Sequence, residues 1–345
     1  MRGNVSITSK LARFAALLAL AATTAAAPSP NAPPPSAADT HARDLRVATE
    51  AAATTATTPL PDPLLTFAAS QTYPPLFDTK AKFAQKKQLD RVTFDLAKDP
   101  PPEMNCAQTL GAKRFAALFD DLGSAYTNMG DEAKAADAFS KAIGCNPRAS
   151  FLHAELAAAL LDTGRYSEAR IETQRELSLG RTNFTIYSLL TQLDFIDGHW
   201  AEAVSNAKLA ATQAPDDEQA TYWQCFLWIA QKHTGAQEPV LVNRRVPPDW
   251  PGPILQSLQG KITEIELLDA VKSEHDLHRQ REILTEALFY TGQQRLTANR
   301  PDEAARYFTA TVGQNVEYFI EHHLAVAELE KLRHPVTSSA TMTPL

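Results

Sequence analysis

With 345 residues, 44% of them hydrophobic and 21% charged, the chain is long enough to bury a sizeable core and has the make-up of an ordinary soluble protein. A formal net charge of −7 disfavours nucleic acid and anionic lipid as partners. Residues Met1 to Ala27 read as an export signal: Arg2, Lys10 and Arg13 precede an apolar run, Phe14 to Ala22, that ends in the small residues Thr23 to Ala27. The run is too short to span a bilayer, so the expectation is cleavage among Ala25, Ala26 and Ala27, with an uncleaved anchor as the alternative. No cysteine precedes Cys106, so a lipid-attachment site is missing and the mature chain is expected to be soluble and periplasmic, without a transmembrane segment.

From Pro28 to Pro63 the chain is rich in Pro, Ala, Thr and Ser, which gives it too little apolar surface to offset the entropy of ordering. It reads as a disordered tether. Residues 64–115 form a lead-in segment that contains Asp78 to Lys98, a candidate amphipathic helix, and the break at Pro100 to Pro102. The Lys80, Lys82, Lys86 and Lys87 cluster within it fits a solvated face better than an acidic partner.

An internal period follows. Gly130, Gly164 and Gly198 recur every 34 residues, each with an alanine five residues on: Ala135, Ala169 and Ala203. In the first unit Phe119, Leu122 and Tyr126 share one helical face, Gly123 allows a neighbouring helix to approach, and Gly130 ends the helix. A second helix carries Ala135, Phe139 and Ala142 and stops at Pro147. The second copy is degenerate at its end, with Thr173 and Arg181 in place of the phenylalanine and proline. These three units, residues 116–217, resemble the tetratricopeptide family. The expected fold is all-α, a right-handed tetratricopeptide solenoid of helical hairpins with a modified C-terminal helical region.

Residues 218–281 hold a divergent first helix, Gln219 to Thr234, dense in aromatics, then a rigid turn at Trp250 to Pro253 and two helical stretches, Ile254 to Leu258 and Ile262 to Val271. Residues 282–334 hold another repeat and a closing helix, and 335–345 a disordered tail. The aromatic helix, the WPxP turn, the LxxGKIT segment, EALFYTGQ and EHHLAVAELEKL resemble the NlpI family of envelope lipoproteins and its periplasmic relatives. That resemblance implies an adaptor that docks a periplasmic protease and cell-wall hydrolases, although this chain lacks the family's lipidated cysteine.

Catalytic motifs are missing: the sequence has no G-x-S-x-G, Walker loop, G-x-G-x-x-G or H-E-x-x-H. Ser205 and Lys208 spell S-x-x-K without its companion elements, and surface packing explains them better. His275, His278 and Glu274, or His322, His323 and Glu328, lie on helices read as polar and exposed, without zinc-like spacing. No catalytic residue, metal ligand or cofactor is therefore expected. Cys106 and Cys145 are candidates for a disulfide that the sequence alone leaves open, and Cys225 reads as core.

Binding in such arrays uses the concave face lined by the first helix of each hairpin. The residues expected there are Asp120, Ser124 and Asn128; Phe151 and Asp162; Ser188, Gln192 and Phe195; and Tyr222 and Phe226. Their hydroxyl, amide and carboxylate groups suit an extended or helical peptide, while Phe151, Phe195, Tyr222 and Phe226 serve equally well as core. The reading is a non-catalytic adaptor for envelope proteins. A structural homodimer and a weak hydrolase are the alternatives.

Overall fold

The computed structural model describes residues 62–73, 79–99 and 106–334. The export signal (1–27), almost all of the tether (28–63), the break at Pro100 to Pro102 and the tail (335–345) lie outside these residues. Every regular element among the described residues is helical. Two helices precede the array, α1 (Pro63–Ser70) and α2 (Thr79–Lys98). Three hairpins follow: α3 (Ala112–Met129) with α4 (Glu132–Cys145), α5 (Ser150–Asp162) with α6 (Tyr166–Ser178), and α7 (Phe184–Asp197) with α8 (Trp200–Gln213). Beyond them run α9 (Asp217–His233), the short α10 (Gly252–Leu258), α11 (Glu264–Lys272), α12 (Leu277–Thr297), α13 (Pro301–Gly313) and α14 (Ile320–Arg333).

The helix ends follow from local chemistry. Gly130, Gly164 and Gly198 all take positive φ, the conformation that closes a first helix and that a Cβ resists. Asp131, Asn183 and Asp216 open α4, α7 and α9 by accepting from backbone N–H groups of the first turn. Thr263 and Glu266 complete a reciprocal capping box at the start of α11. From α3 onward, helices adjacent in sequence pack as antiparallel neighbours, and each second helix also packs on the next first helix, as a tetratricopeptide-like solenoid requires.

Within the hairpins, size is matched across the crossing. A Cβ added at Gly123 would lie 2.6 Å from the Phe139 ring, and one at Gly292 would lie 2.7 Å from Phe308. Both pairs are 16 residues apart, so α12 and α13 repeat the register of α3 and α4. In the intervening hairpins the same positions hold Ala157 with Thr173 and Thr191 with Ala207, all fully buried. A small residue on one helix thus faces a ring, or two middle-sized residues share the space. The degenerate Thr173 fits this rule: where the first helix already carries a methyl group, the phenylalanine is not needed. Gly123→Ala is expected to cost about 1–3 kcal/mol through overpacking, read as a lowered denaturant midpoint.

The N-terminal end of the array is tied by a disulfide between Cys106 and Cys145, beside a core of Phe115, Phe119 and Leu152. The candidate amphipathic helix is present as α2, with Val92 buried and α3 as its packing partner. Lys86 and Lys87 are exposed; nothing is described for the side chains of Lys80 and Lys82. At the other end the fourth hairpin lacks a regular second helix. α10 and α11 stand in its place, and α12 then continues the row of first helices by packing on α9.

Candidate functional site

The row of first helices, α3, α5, α7, α9 and α12, lines the inner face, and the C-terminal helix α14 folds back across part of it. α14 packs against α13 and α12, as the next first helix would, and also against α7 in the third hairpin. Its Lys331 donates from Nζ to the backbone oxygen of Phe195 at 2.7 Å and lies over the Trp200 ring, 5.6 Å from its centre. His323 Nε2 stands 3.8 Å from Asp162 Oδ1 at the end of α5. Leu324, Val326 and Leu329 belong to one apolar cluster with Phe195, Tyr222, Phe226 and Tyr290.

This arrangement divides the ten residues expected to line the groove. Phe195 and Phe226 are 1% exposed and Tyr222 is also buried, so these three are core under α14. The Phe195 and Phe226 rings pack edge-on, 5.1 Å apart. Ser188 and Gln192 are buried as well and bond back to their own helix, to the carbonyls of Phe184 and Ser188. Asp162 is half-buried beside His323. The remaining four lie toward the N-terminal end: Asp120, Ser124 and Asn128 are half-buried on α3, and Phe151 on α5 is 46% exposed.

Asp120 Oδ1 and Asn128 Oδ1 are shielded from solvent and accept no hydrogen bond from the protein. Burial, helped by the neighbouring Glu155 and Asp121 carboxylates, pushes the Asp120 carboxyl up to about 7. Separate donors arriving from a partner, backbone N–H groups or basic side chains, would satisfy these oxygens, and a basic group beside Asp120 would restore its charge.

A second polar centre, which the sequence reading did not single out, lies inside the C-terminal half. Glu286 on α12 is fully buried and accepts at Oε2 from Tyr222 Oη at 2.8 Å and from Trp250 Nε1 at 2.5 Å. Glu321 on α14 accepts at Oε1 from Tyr290 Oη at 3.0 Å. The other oxygen of each carboxyl has no hydrogen-bond partner. Burial raises both carboxyls above the usual range, and for Glu286 the charge of Glu321 adds to it while Arg279 opposes it. The turn at Trp250 to Pro253 thus has a specific task, which is to place an indole N–H over a buried carboxyl. The sequence signal was a glutamate inside the apolar run EALFY, where a solvated charge does not belong.

His322, His323 and Glu328 are buried, not exposed as their polar helix suggested. Among the described residues no three His, Cys, Asp or Glu side chains gather where they would hold a metal ion. Ser205 is exposed and bonds back to the Ala201 carbonyl, so it sits on the outer surface of α8.

No family profile matches the chain. Among solved structures, that of YrrB, described as a TPR protein with an unusual peptide-binding site, is similar to it. The alignment covers 68% of this chain and 97% of that one, at 10% sequence identity and a TM-score of 0.36.

Proposed function

We propose that the chain is a non-catalytic scaffold that binds protein segments on the part of its inner face formed by α3 and α5. The observation that supports this most directly is the two shielded acceptors without partners on α3, Asp120 Oδ1 and Asn128 Oδ1, while Phe151 on α5 is exposed. The acidic surroundings of Asp120 favour a segment that brings a basic side chain or free backbone N–H groups. The place of action is the periplasm. The export signal carries that assignment, and the Cys106–Cys145 disulfide fits an oxidising compartment. By the NlpI resemblance the partners are a periplasmic protease and cell-wall hydrolases, which the scaffold brings together.

Affinity capture from the cell envelope, comparing the parent chain with an Asp120→Ala, Asn128→Ala double variant, tests the site. Recovery of a protease or hydrolase is expected to fall at least about tenfold, or about 1.4 kcal/mol, while the melting temperature stays near that of the parent. Equal recovery with both proteins would remove this face from consideration. A mass that rises with concentration would point to the homodimer instead.

A further inference from the structure

The helix α1 comprises eight residues, far fewer than an isolated helix needs to hold its shape in water. Its stability comes from α11, α12 and α13, which lie about 200 residues away in the chain. Leu64 is 0% exposed and belongs to a cluster with Leu268, Val271 and Leu284. The start of the helix is held by polar contacts from the same three partners. Asp62 caps α1 by accepting from Leu65 N, and it also accepts from the hydroxyl of Tyr307. Glu264 receives the Leu64 N–H at 3.4 Å and is itself held by Arg295 at 2.7 Å. Beside this anchorage, a recess of about 400 Å³ remains open between α1 and α11.

The same contacts would hold a separate peptide. One buried leucine and one capped N-terminus supply the recognition, and the groove residues all belong to the C-terminal helices. We propose that the cleft between α11, α12 and α13 is a peptide-docking site that takes a two-turn helix opening with an acidic cap, a proline and a leucine, and that residues 62–70 occupy it in cis as an exchangeable strap. An external segment of the same chemistry has to displace the strap, whose attachment gives it a high effective concentration. The groove therefore discriminates against weak ligands as long as the strap is intact.

The probe is a fluorescent peptide with the sequence of residues 60–74, titrated against the full chain and against its Leu64→Asp variant, in which the strap is disabled and the groove is untouched. Binding to the variant is expected to be saturable and at least about tenfold tighter than to the parent chain. Binding of equal strength to both proteins, or none to a folded variant, overturns the proposal. A second measurement needs only the parent chain. Excess peptide is expected to speed amide exchange at residues 64–70, whereas the same peptide carrying aspartate at the position of Leu64 leaves it unchanged. Unaltered exchange with the native peptide overturns the proposal even where the variant fails to fold. Both assays are independent of the α3–α5 face, and the Asp120→Ala, Asn128→Ala protein is expected to bind the peptide as the parent does.

Discussion

Phe226→Ala is expected to remove about 3–5 kcal/mol of stability, the range for deleting a fully buried phenylalanine ring from a packed interior. The ring is 1% exposed and has aromatic neighbours on several sides: Phe195 at 5.1 Å, Trp223 at 5.1 Å, Tyr290 at 5.7 Å and Phe289 at 6.4 Å. These neighbours come from α7, α9 and α12, so the cavity opens where three first helices meet beneath α14. A native domain holds about 5–15 kcal/mol in all, so the variant loses a large share of it. Equilibrium denaturation measures the loss. Phe151→Ala provides the contrast, because that ring is 46% exposed and its loss is expected to change stability by no more than about 0.5 kcal/mol. A small change at Phe226 would mean that the aromatic cluster is not core and that a partner can reach it.

The contrast between these two phenylalanines marks where sequence reading succeeds and where it stops. The hairpins are legible because their rules are local: a glycine that must take positive φ, a small residue opposite a ring and an alanine at each crossing all recur at a fixed spacing. Ala135, Ala169 and Ala203 are each 0% exposed, as that spacing implies. What recurs at 34 residues does not reveal what lies across the inner face. α14 carries Glu321, His322, His323 and Glu328 on a helix that looks polar, and all four are buried because the helix is enclosed by α7, α12 and α13. The same enclosure turns Ser188, Gln192, Phe195 and Tyr222 from candidate groove residues into interior. α1 was hidden for a related reason. Pro63 reads as the end of a tether and Leu64 to Ser70 as the start of an unassigned lead-in segment until that leucine is seen against helices that follow it by two hundred residues.

Enclosure of charge has a measurable consequence at Glu286 and Glu321. Their folded carboxyls hold protons that the unfolded chain releases near the ordinary glutamate value of about 4.3. The folded state therefore binds more protons than the unfolded one from that value up to the raised folded values. Stability must fall as pH rises through this window, by up to about 1.4 kcal/mol per pH unit for each excess proton. Tyr222, Tyr290 and Cys225 face the pair and are themselves pushed up by burial, so they stay neutral through the window and supply no compensating charge, while the Arg279 cation acts on Glu286 in the opposite sense. His233, lowered to about 4 by burial, contributes the opposite slope, and Glu264 and Asp120, raised to about 7, contribute the same slope as the pair. The difference between the parent chain and Glu321→Gln cancels those shared terms. The amide keeps the acceptor for Tyr290 and cannot ionise, so the variant is expected to show a flatter stability curve between pH 5 and pH 8 and to gain on the parent steadily toward the alkaline end. Denaturant titrations at several pH values measure it, and parallel curves would mean that Glu321 is not protonated in the folded state. Amide exchange in residues 320–333 locates the effect: in the parent chain it is expected to accelerate with pH beyond the intrinsic rate, because the repulsion that develops on losing the protons acts directly across the contact between α12 and the helix that closes the inner face.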